Sequence, residues 1–315
     1  MTIPGPNQVH ERRADISARL SRWTRRHRHW VGWLFISPWF VGFLWFDVLA
    51  LLVSLYLGFT DYSVGARIPN WVGLANYQQV FTGDHIIGKS FGNTLYYMGL
   101  SVPLGLVTSF SLALLLNARI RGRGWYRTIY YIPSLTPIVA TSLIWMFMLR
   151  TRDGVLNVLL RLIGLKAIPW LTRPEWAKPA LILVSLWGFG GQMVIYLAGL
   201  QGIPTELYEA AEIDGASGWQ KLIRVTVPLM TPTIFFNLIM GIIGSFQVFT
   251  SAFIMTQGGP LKSTLFYMLH LYNNAFNYFK MGYASAMGVL LFFAILALTL
   301  AVNRSSGRWV YYAGT

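Results

Sequence analysis

The chain contains no cysteine. That excludes a disulfide framework, a thiolate metal site and a thiol nucleophile together. Charge is nearly as scarce: 11% of the 315 residues are Asp, Glu, Lys or Arg, against about 25% in a soluble domain. Histidine numbers five, and His10, His27 and His29 all stand in the N-terminal tail, so no His/carboxylate metal spacing arises. Internal repeats and low-complexity tracts are also missing. What is present is apolar: 55% hydrophobic residues, 16% aromatics and 13 Trp, with a mean hydropathy of +0.49. Lipid is therefore the main solvent, and the tryptophans suit its interfacial belts. A net charge of +14 on so apolar a chain points to loops facing anionic lipid rather than to nucleic acid.

A membrane span needs about 20 mostly apolar residues. Six candidates meet this: Val31–Phe59, Phe91–Leu116, Ile129–Leu149, Ala177–Leu200, Val227–Phe249 and Tyr283–Val302. Residues 1–30 form a basic tail, 31–303 the membrane domain and 304–315 a short second tail. The tail carries Arg12, Arg13, Arg19, Arg22, Arg25, Arg26 and Arg28, and the loop after the second span carries Arg119, Arg121, Arg123 and Arg127. Both are expected in the cytoplasm, with both termini inside. The loop after the third span departs from that bias, with Arg150, Arg152, Arg161, Lys166, Arg173 and Lys178 on the expected outer side. The first apolar run is too long for a cleavable signal peptide and has no small-x-small site after it. Glu11 to Trp30 reads as a basic helix lying on anionic lipid, or as a partner-binding helix. Asp47, inside the first span, is expected near the outer headgroups or paired with a neighbouring cation; a proton or cation site is the alternative.

Two motif matches fail on context. Gly83-Asp-His-Ile-Ile-Gly-Lys-Ser90 fits the phosphate-loop pattern, but that motif needs a strand feeding a loop at a helix N-terminus. No β-branched apolar run precedes it, and a span follows directly. Gly88-Lys-Ser-Phe-Gly92 fits a nucleophile elbow, without the strand, histidine or acid that one requires. No catalytic residue is assigned.

The informative stretch lies between the fourth and fifth spans, at 201–226. Pro204-Thr-Glu206 suits a helix start, Glu209-Ala-Ala-Glu212 are helix formers, and Gly215 supplies a turn residue without a Cβ. Trp219 and Leu222 then offer an apolar face before Pro228 opens the next span. This reads as an amphipathic hairpin fit to dock in the groove of a soluble partner.

The string Glu209-Ala-Ala-Glu-Ile-Asp-Gly-Ala-Ser-Gly-Trp-Gln220 resembles the coupling loop of binding-protein-dependent ABC importer permeases, in the maltose-type carbohydrate-uptake branch. Further segments are similar to that family: Trp71-Val-Gly-Leu-Ala-Asn-Tyr77, Asn93-Thr94, Arg121-Gly-Arg-Gly-Trp-Tyr-Arg127 with Ile132-Pro133 and Pro137, Leu197 to Pro204, Thr256-Gln-Gly-Gly-Pro260, and Gly282-Tyr-Ala-Ser-Ala286. The resemblance implies an all-α membrane protein of about six transmembrane helices, the transmembrane domain of a type I importer. It implies four partners besides lipid: a second homologous permease, two ATP-binding-cassette ATPases holding ATP and Mg, and an extracytoplasmic solute-binding protein. The chain itself would hold no cofactor or metal, and the membrane would be the bacterial or archaeal inner membrane. Glu209, Ala210, Ala211, Asp214, Gly215, Trp219 and Leu222 would couple it to the ATPases.

In the fifth span, Gly241, Gly244, Ser245 and Val248 share a helix face. Small residues on one face serve close helix packing or leave room for a path. The maltose-type relatives place sugar contacts there. The same carry-over adds Gly188, Gly191 and Gln192 from the fourth span and Ser134 and Ile138 from the third, with Gln192 and Gln247 as amide donors. The maltose-type relative with the best-studied site carries bulkier aromatic and amide groups where this chain has Gly244 and Ser245, which implies a wider pocket or contacts supplied by the second permease. No basic group is expected inside the later spans, and sugar, polyol, sugar-acid and glycerol-3-phosphate solutes all remain open. An ion-coupled secondary transporter is the alternative, but it uses repeats and midplane ionisable residues, of which only Asp47 is a candidate.

Overall fold

The computed structural model describes residues 28–65, 69–118 and 121–311, and these are helical apart from turns and one isolated bridge, Thr60 to Trp71. The chain forms two compact units, Met1–Tyr56 and Leu57–Thr315. The basic stretch expected at Glu11–Trp30 lies almost wholly outside the described residues.

In the first unit, α1 (Arg28–Gly42) and α2 (Leu49–Leu57) are joined by a π-helical stretch at Phe43–Val48. Gly32–Leu57 is long and apolar enough to cross a membrane as one helix. Asp47 falls in the π-helical stretch and is exposed.

The second unit begins with the short α3 (Ala75–Gln78) and is organised on α4 (His85–Asn117). At 33 residues α4 is about 50 Å long, more than a hydrocarbon core of about 30 Å. Its buried residues are mostly polar or small, Ser90, Asn93, Thr94, Ser101, Ser109 and Ala113, with Tyr97, Val102 and Leu116 among them. Apolar side chains such as Leu100, Leu104, Val107 and Leu115 are exposed instead. That inversion suits lipid, where small residues let helices approach closely and interhelical hydrogen bonds hold them.

Six expected spans become four continuous helices and two bent pairs. The third span is not one helix. α5 (Arg123–Leu135) and α6 (Ile138–Met148) meet at 98°, because Pro137 cannot continue α5 and biases Thr136 toward extended backbone. Thr136 is extended, with ψ 129°. The fourth span is also broken: α8 (Pro174–Leu186) and α9 (Gly190–Gln201) meet at 48°. α7 (Val155–Leu162) lies between these two spans. α10 (Thr205–Ile213) and α11 (Gly218–Lys221) form the hairpin. α11 then runs through a π-helical Leu222–Thr226 straight into α12 (Val227–Phe246). The fifth span therefore starts ten residues before Pro228, at Gly218, and is continuous to Phe246. Past a break at Gln247–Phe249 come α13 (Thr250–Met255), α14 (Tyr267–Tyr272) and α15 (Met281–Ser306).

Three clusters hold the second unit together. At the hairpin end, Ala113 and Leu116 of α4 pack with Met193, Tyr196, Leu197 and Leu200 of α9 and Met230 of α12. At the opposite end, Tyr97, Trp145, Leu181, Phe266 and Leu269 form one cluster, and Phe246, Tyr267, Tyr283 and Met287 form another. Asp84 caps α4 there through a hydrogen bond from the Ile86 N–H, and its other oxygen accepts from His270 Nε2 at 2.7 Å and Tyr283 Oη at 2.8 Å. Burial pushes the Asp84 carboxyl up, but those three donors outweigh it and hold it below its ordinary value.

The basic loop after α6 is built on one amide. Asn157 is fully buried. Its Nδ2 donates to the carbonyls of Arg150, Thr151 and Ile168, and its Oδ1 accepts from the Ile168 N–H and Trp170 Nε1. Replacing it leaves several buried groups unsatisfied, each worth about 1–3 kcal/mol. Asn157→Ala is expected to raise amide hydrogen exchange across Arg150–Trp170 while exchange in α9 and α12 stays as it was. Unchanged protection in the loop would count against this account.

Candidate functional site

A cavity of about 470 Å³ opens in the second unit, and it forms where the helices break. Thr136 and Ile138 flank the α5–α6 break, Trp187, Gly188 and Phe189 make the α8–α9 break, and Gln247, Val248 and Phe249 make the α12–α13 break; all line it. Tyr97, Ser101, Val102 and Gly105 of α4 close the fourth side. Each break frees backbone carbonyls and amides. At membrane depth, such backbone is tolerated only where it is buried in protein or faces a water-filled cavity. The walls carry hydroxyls, amides and aromatic rings, and no charged side chain.

The α8–α9 break is set by packing between helices. At α8–α9, Gly190 lies against the Tyr130 carbonyl and the Tyr131 backbone, so closely that any Cβ there would collide with them. Glycine lets α9 cross α5 at that point, and the turn of Trp187, Gly188 and Phe189 makes the angle. Trp187 packs edge-on against Trp145 of α6, 5.6 Å between ring centres. Gln192 is oriented by α4: its Oε1 accepts from Ser109 Oγ at 3.1 Å, which leaves its NH₂ group free to donate.

Of the ten residues expected along a solute path, nine line this cavity: Ser134, Ile138, Gly188, Gln192, Gly241, Gly244, Ser245, Gln247 and Val248. Gly191 does not; the residue that matters beside it is Gly190, for packing. The two readings of the glycine face divide between two residues. A Cβ on Gly241 would press on Val102 of α4 at 3.1 Å, so Gly241 is a packing contact as well as wall. A Cβ on Gly244 would meet nothing within 4 Å, so Gly244 is room. Ser245 is nearly covered and its hydroxyl donates to the Ile242 carbonyl. Tyr97, Ser101, Thr141, Trp187 and Phe249 also line the cavity and were not reached from the sequence. The breaks that place them are tertiary features. The expectation of no basic group in the later spans also needs correcting, since Lys178 stands half-buried in α8.

At the far end the hairpin has defined geometry. α10 ends in a Schellman motif: Ala216 N–H donates to the Ala211 carbonyl and Gly215 N–H to the Glu212 carbonyl. Gly215 takes φ +75°, the left-handed region that this closure requires. Ser217 and Gln220 then form a capping box on α11, and Lys221 Nζ bonds Glu212 across the turn. That contact holds the Glu212 carboxyl below its ordinary value. Glu209, Ala210, Asp214, Gly215 and Trp219 are exposed, while Ala211 and Leu222 are partly covered. The most prominent knob is Ile213, 88% exposed, beside Trp219 at 69%. Ile213 was not singled out in the sequence because an apolar residue there reads as the inner face of α10.

The phosphate-loop pattern is helical from His85 onward. Lys89 Nζ is taken by the Leu261 carbonyl and Ser90 Oγ by the Ile87 carbonyl, so neither pattern in that stretch forms a loop.

Broken spans around a polar cavity, continuous with a protruding capped hairpin, are the construction of a membrane permease. The chain belongs to the family of binding-protein-dependent transport system inner membrane components, which matches residues 101–310. The chain is 42% identical over 285 residues to the probable ABC transporter permease protein YesP of Bacillus subtilis, covering 89% of this chain and 92% of that protein. It is 33% identical to the trehalose/maltose transport system permease protein MalF of Thermococcus litoralis, covering 86% and 91%. The lactose transport system permease protein LacF of Rhizobium radiobacter is 32% identical, with 85% and 91% covered. Among solved structures, a chain of a bacterial ABC transporter involved in the import of the acidic polysaccharide alginate superposes with a TM-score of 0.78 at 27% identity, covering 92% of this chain and 99% of that one. A second structure of the bacterial alginate transporter, in complex with pentasaccharide-bound periplasmic protein, gives 0.79. The protein is thus an ABC importer permease, a transport subunit rather than an enzyme.

Proposed function

We propose that this permease forms half of the translocation pathway of an ATP-driven saccharide importer. The carbohydrate class is supported by relatives named for lactose, trehalose/maltose and alginate transport. In this reading a second homologous permease completes the cavity, two ATPases dock on the hairpins, and an extracytoplasmic binding protein delivers the solute. The hairpin and both termini face the cytoplasm of a cell whose inner membrane holds the complex. ATP-driven closure of the ATPases moves the hairpin, and α11 passes that movement on because it is one helix with α12, which lines the cavity.

The observation that carries this is the junction of three helix breaks at one polar cavity with no charged side chain in its walls, on a helix continuous with the hairpin. An ion-coupled transporter of the broken-helix kind is built from internal repeats and often holds its ion with intramembrane acidic groups; the sequence shows no repeat, and the cavity walls carry no carboxylate. Affinity purification of the tagged chain is expected to bring a second permease and an ATPase. Vesicles holding that complex should import solute only with ATP and the binding protein. Uptake by the chain alone, driven by an ion gradient, would overturn the reading.

A further inference from the structure

The cavity walls are neutral, but the bridge just beyond them is not. Lys178 stands on α8 one turn before Leu181 and two turns before Ser185, both of which line the cavity. On the facing wall, Asn93 precedes Tyr97 and Ser101 on α4 at intervals of four, so they share a face. Lys178 Nζ donates to Asn93 Oδ1 at 3.2 Å and lies 4.5 Å from the ring centre of Tyr96. This contact joins α4 to α8 across the end of the cavity away from the hairpin. Asn93 Nδ2 in turn donates to the carbonyls of Lys262 and Leu265, and Lys89, one turn earlier on α4, donates to the Leu261 carbonyl.

The charges at this bridge are uncompensated. The ammonium groups of Lys89 and Lys178 repel one another. Among the described residues, ion pairs form at Arg150–Asp153, Lys221–Glu212 and His270–Asp84, and none involves Lys89 or Lys178. Glu175, one turn before Lys178 on α8, is exposed and makes no ion pair with it. A half-buried cation beside a second cation, satisfied only by a neutral amide oxygen and a ring face, is a receiving site for an anion. The ring and the amide beside it are groups that hold a pyranose.

We propose that Lys178, backed by Lys89, receives the carboxylate of an acidic saccharide at the mouth of the cavity. The carboxylate replaces Asn93 Oδ1 as the acceptor for Lys178 Nζ and so releases the bridge between α4 and α8. Neutral rings of the same solute occupy the hydroxyl- and aromatic-lined cavity below. The inference rests on the permease reading and assigns it a solute class, uronate-bearing saccharides.

The test uses the assembled complex in lipid nanodiscs, without the delivery protein, and saturation-transfer NMR with two probes: digalacturonate and its dimethyl ester, which keeps the shape and removes the charge. The acid should bind, and the ester about tenfold more weakly, the worth of one charge-assisted hydrogen bond. Lys178→Gln should bring the acid down to the level of the ester and leave the ester where it was, and Lys178→Arg should restore the preference. Equal binding of acid and ester, no binding of the acid, or an equal loss of both in Lys178→Gln would overturn the proposal. Docking of the delivery protein is measured on the same nanodiscs. If Lys178→Gln weakens docking but spares the saccharide preference, the carboxylate belongs to the delivery protein and the solute assignment fails. Stimulation of ATP hydrolysis by the loaded delivery protein reports separately on the permease reading, which survives if only the carboxylate site fails.

Discussion

Gly215→Val is expected to lower the amount of solute imported per ATP hydrolysed by about tenfold or more, with the chain still inserted and its helices intact. The position has open space around it, so no clash inside the chain drives the effect. Two other causes act together. A left-handed backbone costs an L-residue about 1–2 kcal/mol, and more for a β-branched one. Relieving that strain opens the Schellman closure at Ala211, Glu212 and Ala216. The closure fixes where Ile213 and Trp219 project from the hairpin. If those knobs lose their spacing, an ATPase cleft shaped for both can no longer transmit its closure to α12. Gly215→Asn is the control, since asparagine tolerates the left-handed region, and it should keep most of the coupling. Transport-coupled hydrolysis measured in proteoliposomes decides the matter. A Val variant that imports as efficiently as the parent would remove the hairpin from the mechanism.

Gly244→Trp should abolish uptake while leaving complex assembly and ATP hydrolysis in place. Gly244 is on the cavity wall, and its Cβ direction is empty. An indole placed there brings about 200 Å² of surface into a space of about 470 Å³ without displacing another helix. The neighbouring positions give different outcomes. Trp at Gly241 would strike Val102 and should lower complex yield. Trp at Ser245, the choice that sequence alone would favour, enters a position already covered and would test packing rather than the path. Uptake of labelled solute together with size-exclusion profiles of the complex separates the cases. Normal uptake by Gly244→Trp would move the path out of this cavity.

The hairpin was legible in the sequence because its signals are local. Glycine at a turn and a proline before a helix each act within a few residues, so Gly215 and the two hairpin helices could be placed without tertiary information; the equally local Ser217–Gln220 cap came only from the structure. Ile213 escaped because exposure is not local: an isoleucine on a helix reads as core until the neighbouring chain is known. The span count was legible for a similar reason, since about 20 apolar residues suffice to cross a bilayer. The 98° break at Thr136–Pro137 was not. A proline inside an apolar run permits a kink, and only the packing of α5 and α6 against their neighbours sets its size.

The cavity follows the same division. Helical period alone put Gly241, Gly244, Ser245 and Val248 on one face, while Ser134 and Gln192 came from the family resemblance. Whether a small residue is room or contact depends on what stands opposite. Gly241 faces Val102 and Gly244 faces nothing, although the two are three residues apart on one helix. Lys178 reads as a stray charge at the edge of a span until α4 brings Asn93 and Lys89 to it from more than eighty residues away. By itself, then, the sequence determined that this is a membrane protein with a glycine-turned hairpin between its fourth and fifth spans. Tertiary structure alone decided where three broken helices meet and what lies at the mouth of the space they leave, because facing surfaces come from segments far apart in the chain.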